Sequence, residues 1–217
     1  MNMNLYGHSD SWLMVDCGAT FKAPLDPKDD KQENAKTYDV VAADPTFIEN
    51  RQESLSGIII THAHEDHIGA LPALWERFKC PIYTTAFTAE VLRRKLYYTA
   101  IAGLVTIVVV EPGQVLDIGP FSVTWLPITH SLPDAQALFI QTPVASVFHT
   151  ADWKIDFNPI TDEPFQPALY KTLKSMKGQS NVVVSHHAPS IHSAPIEKRD
   201  NITSAAYVSN LESFISQ

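Results

Sequence analysis

Apolar and polar residues alternate through Phe121-Ser122-Val123-Thr124-Trp125-Leu126, which predicts a strand with one face buried. Shorter apolar runs predict further strands at Trp12 to Val15, Tyr38 to Ala43, Gly57 to Ile60, Thr106 to Val110, Val115 to Ile118, Leu138 to Thr142 and Ser146 to His149. From Thr106 onward these runs are closely spaced, with Gly, Pro and Asp at the turns, as in one half of a sandwich. Helical spacing of apolar residues appears in Ile68 to Phe78 and in Thr85 to Leu96, the latter closing on Arg93, Arg94 and Lys95. Those three cations favour a helix C-terminus, where they complement the dipole. The charged, Pro-containing stretch Lys22 to Lys36, including Asp26 to Lys31, is expected to be a solvated loop. Toward the end, Pro164 to Lys177 predicts an amphipathic helix and Asn181 to Ser185 a strand. The pattern as a whole predicts an α/β domain without repeats or low-complexity tracts.

Composition narrows the class without naming a function. The chain has 217 residues, 45% apolar and 18% charged, enough for one well-buried core. A net charge of −8 argues against a generally basic nucleic-acid surface, because Lys and Arg supply most non-specific affinity for phosphates. It leaves open a cleft whose positive charge comes from bound cations. The two cysteines, Cys17 and Cys80, are too few for a disulfide framework and point to a reducing compartment, with the cytoplasm as the default. The apolar run Val105 to Val110 is far short of a membrane span.

The chemistry concentrates in Thr61-His62-Ala63-His64-Glu65-Asp66-His67, directly after the apolar run Gly57 to Ile60. Imidazoles and carboxylates at such density suit zinc or manganese. In an extended stretch, His62, His64 and Asp66 share a face, and His67 is expected to leave the other way as a helix begins. That arrangement serves two ions, with His62 and His64 on one and Asp66 and His67 on the other. Two downstream strand ends offer further ligands: His130 could complete the first shell, and Asp152 could bridge both ions. Ser131 is a candidate contact for a substrate phosphate, with a turn-capping hydroxyl as the alternative, and His149 is read as a supporting residue.

Taken together these residues resemble the metallo-β-lactamase superfamily, whose signature is HxHxDH, and more closely its ribonuclease J branch. The resemblance rests on Trp12 to Phe21 with its Asp16-Cys17-Gly18 turn, Thr61 to Leu74, a Pro81-Ile82-Tyr83 strand, His130 to Ala135 and His149 to Asp156, in that order over about residues 1 to 160. It implies an αββα sandwich, a dinuclear site at the strand-end edge, and phosphodiester hydrolysis of RNA by a metal-bridging hydroxide. It also implies one ion on His62, His64 and His130, another on Asp66 and His67, and Asp152 between them, with Asp66 orienting the nucleophile. The family's last ligand, a His beyond an inserted β-CASP domain, has no counterpart in this chain, whose start also matches a point just inside the family's opening strand and turn. Any apolar surface left by absent segments would need a covering partner, so a homo-oligomer is among the expected states.

The chain divides on this reading into a core at 1–175 and a strand-loop-helix segment of different origin at 176–217. Val182 to Ser190 and Ser204 to Glu212 are similar to part of a calcineurin-like metallophosphoesterase, whose other motifs are absent. Either two unrelated fragments are joined, or the Val182 strand enters the sandwich and His186 or His187 supplies the missing ligand. His192, in a Ser/Pro-rich stretch, is expected to be solvated. Two rival functions stand beside RNA hydrolysis. One is a small-substrate hydrolase of the same fold acting on a thioester, lactone or phosphodiester; the other is a truncated or fused product that binds metal without catalysis.

Overall fold

The computed structural model describes residues 1–21, 40–154, 156, 158–161 and 180–185. The chain forms two compact units, Met1–Val110 and Glu111–Gln217, each built around its own five-stranded sheet. The expected loop from Lys22 to Lys36, the helix from Pro164 to Lys177, His186, His187, His192 and Ser204 to Glu212 lie outside the described residues.

In the first unit the strands are β1 (Asn4–His8), β2 (Ser11–Val15), β5 (Leu55–Ile59), β6 (Ile82–Thr84) and β7 (Ile107–Val109), in that spatial order. β1 and β2 form a hairpin whose two turn residues, Ser9 and Asp10, both have positive φ, the geometry that matches strand twist. From β2 onward the pairings are parallel, so the strands end on one shared edge. Between β2 and β5 come a two-stranded ribbon, β3 (Ala19–Phe21) with β4 (Val40–Ala42), and the short helix α1 (Thr46–Glu49). The crossovers carry α2 (Glu65–Ile68), α3 (Leu71–Phe78) and α4 (Ala86–Leu96). Helix α3 buries Leu71, Leu74, Trp75 and Phe78, a single face at i, i+3, i+4 and i+7. These pack with Met14, Ile58 and Ile82 from the strands, Ile60 just past β5, and Leu92 and Leu96 from α4. The indole N–H of Trp75 donates to the Cys80 carbonyl at 2.9 Å, fixing the turn into β6.

The second unit is a meander of β8 (Val115–Ile118), β9 (Phe121–Pro127), β10 (Gln136–Gln141) and β11 (Ala145–His149), all antiparallel, with β12 (Ser180–Val184) parallel to β11 at the edge. Along β9 the alternation holds as expected: Phe121, Val123 and Trp125 are buried, and the residues between them are partly exposed. Ala137 of β10 and Phe148 of β11 form a second apolar cluster with Ile128, Ala135, Ala151 and Trp153 from the adjoining loops.

The expected helix from Ile68 to Phe78 begins at Leu71 instead, as α3, and Ile68 closes the separate α2. The Ala70 N–H is taken by the Cys17 carbonyl at 3.0 Å, which breaks the run between α2 and α3. The observed elements β1 and α1 had no counterpart among the expected ones, since Asn4 to His8 mixes polar and apolar residues without clear alternation.

Candidate metal centre

In parallel sheets, ligand-bearing loops gather where the strands end at their C-termini, and the first unit follows this rule. Asp16 follows β2, Thr61 to His64 follow β5, and the Asp16 N–H donates to the Ile59 carbonyl at 2.8 Å, tying the two loops together. The extended stretch stops at His64, and Glu65 and Asp66 open α2, where carboxylates favour a helix N-terminus. Asp66 therefore sits on a helical turn instead of sharing a strand face with His62 and His64, as its spacing suggested. His67 does not turn away either. Its ring lies 3.9 Å from that of His62, both fully buried.

One buried carboxylate organises this turn. Asp16 accepts from the Thr61 N–H at 2.9 Å and from the Thr61 hydroxyl at 3.0 Å, and its Oδ2 lies 2.8 Å from Nδ1 of His67. A carboxylate at that distance fixes the proton on Nδ1 and presents Nε2 of His67 as the lone pair. With its hydroxyl proton directed to Asp16, Thr61 Oγ1 accepts from His62 Nδ1 at 3.0 Å, which likewise leaves Nε2 of His62 as the ligand atom. That atom lies 3.1 Å from Nδ1 of His64, close to the roughly 3.3 Å expected for two nitrogens on one tetrahedral zinc. Asp66 Oδ2 is 3.4 Å from His67 Nε2. A carboxyl is ionised at neutral pH, so Asp66 is available there as a ligand. The donors thus fit divalent metal in type, spacing and protonation.

The second unit assembles its own pair. His130 follows β9 and Asp152 follows β11, and His130 Nε2 lies 4.0 Å from Asp152 Oδ2. The loops that carry them are stitched together beside the pair: the Lys154 N–H donates to the Thr129 carbonyl at 2.7 Å, and the Thr129 hydroxyl donates to the Lys154 carbonyl. Ala151 has φ 51°, a left-handed step that sets the direction of Asp152. Ser131 is exposed beside His130, and His149 is buried at the end of β11.

Residues 2–181 match the family described as the Metallo-beta-lactamase superfamily. The chain belongs to that superfamily. Among curated metallo-beta-lactamase relatives, Ribonuclease J of Sinorhizobium meliloti is 40% identical over 171 residues, covering 75% of this chain and 29% of the relative. Ribonuclease J of Helicobacter pylori strain 26695 is 33% identical over 164 residues, covering 75% of this chain and 22% of the relative. The chain thus spans less than a third of the length of these relatives. Solved structures share the fold: the metallo-beta-lactamase fold protein YhfI of Bacillus subtilis has a TM-score of 0.58 at 21% identity, covering 96% of this chain and 69% of its own. Zn(2+)-bound PqqB of Methylobacterium extorquens has a TM-score of 0.55 at 10% identity, covering 86% and 60%. Family and relatives support a metallohydrolase, and the His-rich turn of this metallo-beta-lactamase chain fits a divalent ion. Among the described residues no helix is long and apolar enough to cross a membrane.

Asp16, Thr61 and Asn2 were not identified as site residues from sequence. Asp16 stood out only as part of an Asp-Cys-Gly turn, and its link to His67 spans 51 positions that no local spacing connects.

Proposed function

We propose that the chain is a ribonuclease J-like hydrolase core that cleaves RNA phosphodiesters at a centre of two divalent ions, zinc in preference to manganese, in the cytoplasm. One ion would be held by His62, His64 and His130 and the other by Asp66 and His67, with Asp152 available to both. Bound there, the ions would supply Lewis acidity at the phosphate and a water that loses its proton near neutral pH. The residues do the rest. Asp16 and Thr61 hold the His67 and His62 rings in ligand tautomers, the ionised Asp66 accepts from and orients the attacking water, and the Ser131 hydroxyl offers a donor to a phosphate oxygen. The place left for a further ligand on the second ion falls to His186 or His187. β12 runs parallel to β11 with the Thr150 N–H donating to the Val184 carbonyl at 2.9 Å, so the chain leaves β12 beside the segment that leads to Asp152. Two unpaired, buried cysteines fit a reducing compartment.

The observation that carries this reading is the convergence of His62, His64, Asp66 and His67 around ring nitrogens tuned by one buried carboxylate, in a chain 40% identical to a ribonuclease J. Metal analysis and turnover test it. The wild type should hold two ions per chain, Asp152→Ala should lose one or both, and 5′-monophosphorylated RNA should be hydrolysed faster than a simple phosphodiester or a lactone. A lactone preferred over RNA would move the reading to a small-substrate hydrolase. Fewer than one ion per chain would remove the hydrolase reading altogether.

A further inference from the structure

The turn carries a donor as well as ligands. Nδ2 of Asn2 lies 3.0 Å from Nε2 of His67, 3.2 Å from Oδ2 of Asp66 and 3.1 Å from the Asp66 carbonyl. The backbone fixes it there: the Asn2 N–H donates to the Asp66 carbonyl at 2.8 Å, and the Asn2 carbonyl accepts from the Gly18 N–H at 2.8 Å. A carboxamide nitrogen donates and does not accept. His67 has its Nδ1 proton directed at Asp16, so Nε2 offers a lone pair, and the Asp66 carboxylate offers only acceptor oxygens. A single NH2 group therefore satisfies the two atoms that the two-ion reading gives to the second metal. Its two protons stand in for the positive charge of a cation.

We infer that the Asn2 carboxamide is a built-in competitor for the second metal position, making the two ions bind in sequence instead of together. This rests on the two-ion reading. His67 has one ligand atom left to give, because Asp16 holds the other. A cation at Nε2 must therefore displace the Asn2 amide, whereas an ion on His62 and His64 need not. Asn2 thus widens the gap between the two affinities, and the centre passes through a one-ion state over a range of metal concentration.

Zinc titration of the full chain against a chromophoric chelator tests this, with wild type, Asn2→Ala and the near-isosteric Asn2→Leu compared after their thermal melts are matched. Loss of the amide's hydrogen bonds to the ligand pair should tighten the second binding step by about tenfold and leave the first within about twofold. In the wild type, the Asn2 carboxamide NMR signals of the metal-free protein should stay in place through the first equivalent of zinc and shift on the second. A second step unchanged or weakened in both variants overturns the competition while leaving the two-ion reading intact, and would make Asn2 a support for Asp66 and His67. If neither wild type nor variants bind zinc, the two-ion reading and the competition fall together. If one variant does not fold, the other variant and the wild-type NMR titration decide the matter.

Discussion

Asp16 organises the turn that carries the metal-ligand candidates without being one of them. It is fully buried, adopts φ 64°, and receives three donors from Thr61 and His67. A left-handed conformation is tolerated by Asp better than by most residues, and it is what turns the carboxylate back toward β5. Asp16→Ala should cost about 3 kcal/mol, since it strips the acceptor from a buried pair, and should weaken zinc binding by about 10- to 100-fold. Urea denaturation and zinc titration measure the two effects; a variant that loses stability but binds zinc as tightly would show that Asp16 only fills space. Next to it, Cys17 has its thiol pushed up to about 12 by burial, with help from the Asp16 carboxylate and Cys80, and burial does the same for Cys80. A raised folded value favours the neutral thiol. The stabilisation is complete below the unfolded thiol value of about 8.5 and is lost as pH climbs toward the folded value. Stability should therefore decline between about pH 9 and 12, and the decline should flatten in a Cys17→Ala, Cys80→Ala double variant followed by urea melts across that range.

The elements that sequence pattern made legible are those whose burial is periodic. β9 and α3 bury the faces their spacing marked, and α4 closes on Arg93, Arg94 and Lys95, with Arg94 paired to Glu90 one turn back at 2.9 Å and Lys95 reaching Glu65 at 2.7 Å. The HxHxDH run was legible as ligands but not as shape. Its spacing read as a strand continuing through Asp66, whereas the acidic residues start a helix whose register is set by β2's loop, with the Cys17 N–H donating to the His67 carbonyl at 2.8 Å. Such contacts join residues fifty positions apart, so no local window contains them. Gly18 shows how close that approach is. A Cβ added there would fall 1.6 Å from the Asp66 carbonyl oxygen and 2.7 Å from the His67 nitrogen, backbone atoms with nowhere to go. Gly18→Ala should destabilise the fold by about 3 kcal/mol and displace Asp66 and His67. Gly113 is the control: at φ +82° it meets nothing within 4 Å, so Gly113→Ala should cost only the left-handed strain of about 1–2 kcal/mol and leave zinc binding unchanged. Equal losses in the two variants by chemical denaturation would show that the β2 loop yields to the intruding methyl.

At the scale of the molecule, charge links stability to the metal. The formal net charge is −8, and in the first unit Asp16 and Asp66 add negative charge at the turn that carries His62, His64 and His67. Two divalent cations would offset half of that net charge, and an ion that binds only the folded chain shifts the folding equilibrium by mass action. With free zinc at about 100 times the dissociation constant of one site, the gain is about 2.7 kcal/mol. For a chain of this size that corresponds to a rise in Tm of about 5–10 °C. Scanning calorimetry with and without zinc, and after EDTA, measures the shift. If Asp152 is shared by both ions as proposed, Asp152→Ala should reduce it, and an Arg94→Ala change on the exposed face of α4 should not alter it, since a surface pair contributes about 0.5 kcal/mol at most. A zinc-induced rise that is the same in wild type and Asp152→Ala would mean that the ions stabilise the fold through the His62 and His64 turn alone, leaving Asp152 without a part in holding them.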